Sequence, residues 1–147
     1  EAAPSAGRYV ELRRNWSPGD VVELQLDMRP RLMEAHPLLE TARNQTAVMR
    51  GPIVYCLESP DLPAGVRVSE VLLSRRIQLT PRFEGALLGG VTVLEGAGLR
   101  YAEPNRAHLY SALRPAEPEP VALRLIPYFA WANRGVTHMT VWIPLSD

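Results

Sequence analysis

Four kinds of side chain in this sequence could carry chemistry: one thiol, three imidazoles, scattered carboxylates and a set of aromatic rings. A nucleophilic thiolate needs a partly exposed, electropositive setting or a histidine partner. Cys56 lies instead in the apolar run Ile53-Val-Tyr-Cys-Leu57, which predicts a small buried hydrophobe. His36, His108 and His138 stand far apart, and none has a metal-ligand partner two to four residues away. His36 and His108 are expected in loops, and His138 on the last strand. Hydrolysis by paired carboxyls needs two of them facing each other across a bond. Glu11, Glu23 and Asp27 fall on neighbouring strands, but on the outward side of an alternating pattern, so a solvated face is expected. Asp20 follows a Pro-Gly pair and is expected to hydrogen-bond the turn backbone.

The aromatic rings are the open lead. Tyr9, Trp16, Tyr128, Phe129, Trp131 and Trp142 could stack on sugar rings if exposed, each with a flat face and, for Tyr and Trp, a polar tip. Equally, they could fill the core or the contact with a neighbouring domain. Trp16, Tyr128, Trp131, Arg134 and Trp142 are therefore the candidate docking or sugar-contact residues.

Strands must position these side chains. Arg8–Arg14 alternates with Val10 and Leu12 on one face. Asp20–Met28 alternates more cleanly, with Val22, Leu24, Leu26 and Met28 inward and Glu23, Gln25 and Asp27 outward. Pro18-Gly19 suits the centre of a type II turn, so the two runs predict a hairpin ending near Arg29-Pro30-Arg31. His36–Asn44 suits a short helical turn stopped at Asn44. Thr46–Arg50 and Ile53–Leu57 read as one strand interrupted at Gly51-Pro52, where a bulge or an edge position is expected. Ser59–Gly65 is a loop, and short apolar runs follow at Val66–Leu73, Arg76–Thr80 and Ala86–Leu94. Gly96-Ala-Gly98 lacks the third glycine of a dinucleotide loop and reads as a turn. Tyr101–Pro120 is the least structured stretch. Val121, Leu123 and Leu125, then Met139, Val141 and Ile143 after the Asn133-Arg134-Gly135 turn, predict two closing strands.

The bulk numbers narrow the classes. A chain of 147 residues, 46% of them hydrophobic, can build one ordinary core. The net charge is +0 and the basic residues are scattered Arg, so no basic field exists for nucleic acid or an anionic membrane. One cysteine excludes an internal disulfide and a Cys-rich zinc cluster. No apolar run reaches the length of a membrane-spanning helix. The start, Glu1-Ala-Ala-Pro-Ser-Ala-Gly7, reads as a cut boundary rather than a signal peptide. Asn15-Trp-Ser17 and Asn44-Gln-Thr46 match a glycosylation sequon too short to carry weight. Fourteen prolines among short strands favour an antiparallel sandwich or barrel over helices.

Several motifs together are similar to a known family. They are Gly7-x-Tyr9, Arg14-x-Trp16-x-x-Gly19-Asp20, Met28-x-x-Arg31, Arg50-Gly-Pro-Ile-Val-Tyr-Cys56, Ile126-Pro-Tyr-Phe-Ala-Trp-Ala-Asn-Arg-Gly135 and Met139-x-Val-Trp142. In this order they resemble the C-terminal part of glycoside hydrolase family 127, the β-L-arabinofuranosidase-like proteins. The middle of the chain, from about Leu62 to Val121, matches no motif. The resemblance implies a larger enzyme whose (α/α)6 barrel does the chemistry through a cysteine nucleophile, a glutamate acid/base and a zinc ion held by Glu and Cys. Those residues belong to the barrel, and none maps onto this chain.

The expected fold is thus an all-β, jelly-roll-like antiparallel β-sandwich with an inserted smaller β unit. Residues 1–58 and 122–147 would make the main sandwich, and 59–121 the insert. The expected role is a non-catalytic module with no cofactor or metal of its own. Its partners would be the parent barrel, a possible second copy and a possible carbohydrate. An autonomous carbohydrate-binding module using exposed Tyr and Trp is the alternative.

Overall fold

The sheet closes where the C-terminal stretch returns to the middle of the chain. The computed structural model describes residues 7–101, 109–110, 112 and 117–146. His108, the start of the chain at Glu1–Ala6 and most of the Tyr101–Pro120 stretch lie outside the described residues.

Among the described residues nine strands form: β1 Pro30–Glu34, β2 Gln45–Arg50, β3 Ile53–Glu58, β4 Val71–Leu72, β5 Thr80–Glu84, β6 Val91–Arg100, β7 Glu119–Pro127, β8 Met139–Thr140 and β9 Ile143–Pro144. They join in one curled sheet in the order β1-β2-β3-β7-β6-β4, with β5 on β6, β8 on β3 and β9 on β2. Every strand pair is antiparallel, apart from an isolated parallel bridge between Leu73 and Leu145. The all-β expectation is borne out, and the curl is consistent with a sandwich.

β2 and β3 form a hairpin with Arg50 opposite Ile53. Gly51-Pro52 is therefore its two-residue turn, not the bulge or edge position expected within one interrupted strand. Gly51 takes φ +57° at the first central position, the left-handed setting that suits the twist of a tight hairpin. The two strands pair only as far as Val48 and Tyr55, then part. β9 takes the vacated edge of β2, with Thr46 opposite Ile143, and β8 takes that of β3, with Leu57 opposite Thr140. The closing segment is thus a wedge of two short strands. The single strand expected through Val141 is broken at Val141-Trp142, where the Thr140 hydroxyl donates to the Trp142 carbonyl at 2.7 Å.

The alternation read in β7 holds: Val121, Leu123 and Leu125 are buried while Ala122 is exposed. They join Val48, Tyr55, Leu57, Val71, Leu73, Leu94 and Ile143 in the main core. Cys56, Val91, Val93, Ile126 and Ala130 form a second cluster. Neighbours Tyr55, Cys56 and Leu57 are all buried, so β3 is covered on both faces and reads as a continuous apolar run.

Two expectations fail for instructive reasons. Gly96-Ala-Gly98 is no turn but the middle of the ten-residue β6. A Cβ on Gly96 would stand 2.7 Å from the Gln78 carbonyl oxygen, and one on Gly98 2.4 Å from Leu123 Cδ1. The glycines let neighbouring chain approach the strand closely. The hairpin expected over Arg8–Met28 also does not form, although its turn does. Asp20 N–H donates to the Ser17 carbonyl at 3.1 Å, Gly19 takes φ +92°, and the Asp20 carboxylate accepts the Ser17 N–H at 2.8 Å. A hairpin on that turn would set Leu12 opposite Gln25 and Val10 opposite Asp27, putting the two apolar stripes on opposite faces. A type II turn also splays its flanking strands rather than following their twist. The first paired strand begins instead at Pro30, where the hairpin was expected to have ended. The short helical turn is present as a 3-10 turn at Glu40–Ala42, and Asn44 follows with φ +57°.

Gly98→Ala is expected to cost about 1–3 kcal/mol through overpacking against Leu123. Denaturant unfolding of the variant beside the parent protein measures it, and an unchanged midpoint would show that the β6–β7 contact yields freely.

Candidate functional site

β3 ends on Glu58, a carboxylate with no accessible surface. Burying such a charge is costly unless it is paired and hydrogen-bonded. The partners arrive from the corner between β7 and β8, more than seventy residues downstream. Arg134 Nε donates to Glu58 Oε2 at 3.1 Å and Nη2 donates to the same oxygen. The Thr137 hydroxyl donates to Oε1 at 2.6 Å, and the Ala132 N–H at 3.3 Å. Arg134 also forks onto Asp61, with Nη1 donating to Oδ1 at 3.0 Å and Nη2 to Oδ2. Burial alone would push the Glu58 carboxyl up, but the Thr137 and Arg134 hydrogen bonds, the Ala132 N–H and the guanidinium charge together hold it below its ordinary value. The Arg134 guanidinium is held charged more firmly still, first by its hydrogen bond to Asp61.

This clamp fixes the corner and what it displays. Tyr128–Ala130 make a 3-10 turn, Ala132 takes φ +64° and Gly135 φ +103°. The Asn133 side-chain amide donates to the Ala130 and Trp131 carbonyls at 3.0 and 3.3 Å. The turn read at Asn133-Arg134-Gly135 thus carries positive φ at Gly135 and, just before it, at Ala132. On the outer side Tyr128 and Trp131 stack with centroids 6.1 Å apart and planes 13° from parallel. Phe129 beside them is 70% exposed and Trp131 39%. Tyr128, Trp131 and Arg134 are therefore brought together, the rings outward and the guanidinium beneath.

The other two candidates lie elsewhere. Trp16 is exposed near the Ser17–Asp20 turn, with the Arg14 guanidinium 4.9 Å from its ring centroid. Trp142 is half-buried in the wall of a cleft of about 610 Å3, together with Gln45, Arg67, Ser69, His138 and Thr140. Glu58 and Asp61 were not read from the sequence as site residues. A charged residue closing the apolar run of β3 was the available signal.

Glu11, Glu23 and Asp27 are exposed, as their pattern implied. Glu58 and Asp61 do face one another, but Arg134 lies between them and occupies oxygens of both, so no space is left for a scissile bond. Cys56 is fully buried, and burial first, then the nearby Glu58 and Asp61 charges, push its thiol up to about 12. The expectation of a small buried hydrophobe is borne out. Among the described residues no group of three or more His, Cys, Asp or Glu is placed to hold a metal ion. The zinc chemistry that the family implies therefore finds no ligand set in them.

The fold and this corner define an all-β domain that presents a clamped aromatic face. A family model, the glycoside hydrolase family 127 C-terminal domain, matches residues 30–144, and the chain belongs to that family. It is 37% identical over 131 residues to a non-reducing end β-L-arabinofuranosidase of Bifidobacterium longum subsp. longum, covering 84% of this chain and 20% of that protein. A solved glycoside hydrolase superposes with a TM-score of 0.74 at 43% identity, over 82% of this chain and 20% of that one. A family 127 β-L-arabinofuranosidase from Geobacillus stearothermophilus also superposes with a TM-score of 0.74, at 35% identity, over 81% of this chain and 18% of that one. The chain therefore spans about a fifth of the length of these relatives.

Arg134→Ala is expected to destabilise the protein by about 3–5 kcal/mol, because it strands a buried carboxylate; a loss under about 1 kcal/mol would show that water can replace the guanidinium. Because the folded-state value of Glu58 is lowered, its contribution is present above the unfolded value, about 4.3, and is lost as pH falls through the folded value. Stability measured by denaturant unfolding should therefore fall below that pH, with a shallower fall in Glu58→Gln. The native protein should resist an aromatic disulfide reagent at pH 8 and show one reactive thiol in urea; prompt native reaction would contradict the burial of Cys56.

Proposed function

We propose that this chain is a non-catalytic β module of a family 127 glycoside hydrolase, seating its Tyr128–Val136 corner on the (α/α)6 catalytic barrel of the parent chain. The observation that carries this reading is the exposed Tyr128–Phe129–Trp131 face, held on a corner that a buried ion cluster immobilises. Immobile aromatic anchors lose little freedom on docking and dominate interface energies. The saturation of Glu58 and Asp61 by Arg134 supports a positioning role over a catalytic one. The same face could border the substrate cleft or meet a second copy, as edges of one docked surface.

The alternative, a carbohydrate-binding module, is favoured by a different observation: the cleft that Trp142 shares with Gln45, Arg67, Ser69 and His138. A half-buried indole beside amide, guanidinium and hydroxyl groups suits a hydroxylated ligand.

One pair of experiments separates the readings. In the parent enzyme the double variant Phe129→Ala, Trp131→Ala should split a single calorimetric transition into two and lower kcat/KM for an arabinofuranoside. An unaltered single transition and unaltered kinetics would count against docking. Titrating this chain with arabinose-containing oligosaccharides should leave Trp fluorescence unchanged; saturable quenching lost in Trp142→Ala would favour the carbohydrate-binding reading instead.

A further inference from the structure

The cleft that holds Trp142 lies between the closing wedge and the 3-10 turn at Val68–Glu70. Its volume, about 610 Å3, falls within the range of small-molecule sites, about 300–1,000 Å3. The wedge side is fixed by its own hydrogen bonds. The His138 backbone is tied to Ser59 through its carbonyl and its N–H, and the Trp142 carbonyl accepts the Thr140 hydroxyl. The His138 imidazole and the Trp142 indole are thereby held at the wall by backbone contacts alone. Arg67 and Ser69 come from the turn, and Gln45 from the start of β2. Among the described residues the Gln45 amide, the Ser69 hydroxyl, the His138 imidazole and the Trp142 indole N–H have no hydrogen-bond partner.

The sign of these groups is one-sided. Arg67 and the indole N–H can only donate, while Gln45, Ser69 and His138 can donate or accept. No carboxylate lines the cleft among the described residues. Glu70, the nearest in sequence, turns back toward Arg67: its Oε2 accepts the Arg67 N–H at 3.2 Å, and its Oε1 stands 3.9 Å from Arg67 Nε. The Arg67 side chain still stays 67% exposed. A neutral sugar brings hydroxyls that must donate as well as accept, and this wall is poor in acceptors. A ligand with an anionic group supplies acceptors and meets the guanidinium charge.

We propose that this cleft is a site for a sugar ring carrying an anionic group, a uronate or a phosphorylated sugar. The ring lies along the flat face of Trp142, with its hydroxyls shared among Gln45, Ser69 and His138. Arg67 takes the anionic oxygens. It rests on the second reading above, the cleft as a carbohydrate site, and narrows the ligand to acidic sugars; the docking of the aromatic corner does not enter it.

Calorimetric titration of this 147-residue chain tests it with four probes: trigalacturonate, glucose 6-phosphate, neutral arabinotriose and inorganic phosphate. At least one acidic sugar should give saturable heat that fades as ionic strength rises, while arabinotriose and inorganic phosphate give none. A response to trigalacturonate alone identifies a uronate, and one to glucose 6-phosphate alone a phosphorylated sugar. Arg67→Gln should weaken the binding at least about tenfold. Gln45→Ala should weaken it too, which keeps the test decisive if Arg67→Gln disturbs the turn. Silence toward both acidic sugars would overturn the proposal, as would affinity undiminished in both variants or inorganic phosphate binding as tightly as the sugar. Arabinotriose bound equally tightly, and lost in Trp142→Ala, would also overturn it while upholding a carbohydrate site. Silence toward every probe would remove that broader reading as well.

Discussion

A carboxylate buried at the end of a central strand is the constraint from which much of this fold follows. Glu58 cannot stay charged inside the protein without several donors, and β3 itself supplies none. The donors come from a corner far along the chain, which must therefore lie against the 58–61 turn. Once Arg134 spans Glu58 and Asp61 and Thr137 caps the second oxygen, the path of the next residues is nearly decided. The Ser59 N–H donates to the His138 carbonyl at 2.9 Å, and the His138 N–H to the Ser59 hydroxyl at 3.1 Å. From there the chain can only enter the fork between β2 and β3. The charge cluster and the closing wedge are two ends of one arrangement.

The same cluster separates the inside of the corner from the outside. Its polar groups turn inward and are consumed there, while the rings of Tyr128, Phe129 and Trp131 stay partly exposed. A buried ion pair of this kind contributes little net stability compared with a well-packed apolar substitute, yet losing one member is costly. What it provides here is placement of the aromatic face.

Legibility in the sequence followed how local the physics was. β7 was readable because its alternation is a local property of one strand, and so was the Ser17–Asp20 turn, whose Pro-Gly pair dictates its own geometry. Cys56 was readable because an unbroken apolar run predicts burial whatever lies around it. The hairpin around that turn was not, since the loop length sets a register that the apolar stripes contradict. The glycines at 96 and 98 misled because their reason lies in Gln78, Leu72 and Leu123, brought close by pairing that no local pattern reveals. Glu58 was passed over for the same cause: its partners are more than seventy residues away. The candidate site was thus half visible, in its aromatics and Arg134, while the carboxylates that hold it were not.

The wedge has a kinetic consequence. Gln45 pairs with Pro144 and Leu57 with Thr140, contacts separated by most of the chain. Closing so long a loop costs entropy before any hydrogen bond of the wedge is returned, so local hairpins such as β2–β3 and β5–β6 can form well before it. Until then the diverging ends of β2 and β3 have no neighbour on the sides that face each other, near Thr46 and Leu57, and those edges are available to another chain. The slow, aggregation-sensitive period of folding is therefore expected to end only when residues 139–145 arrive.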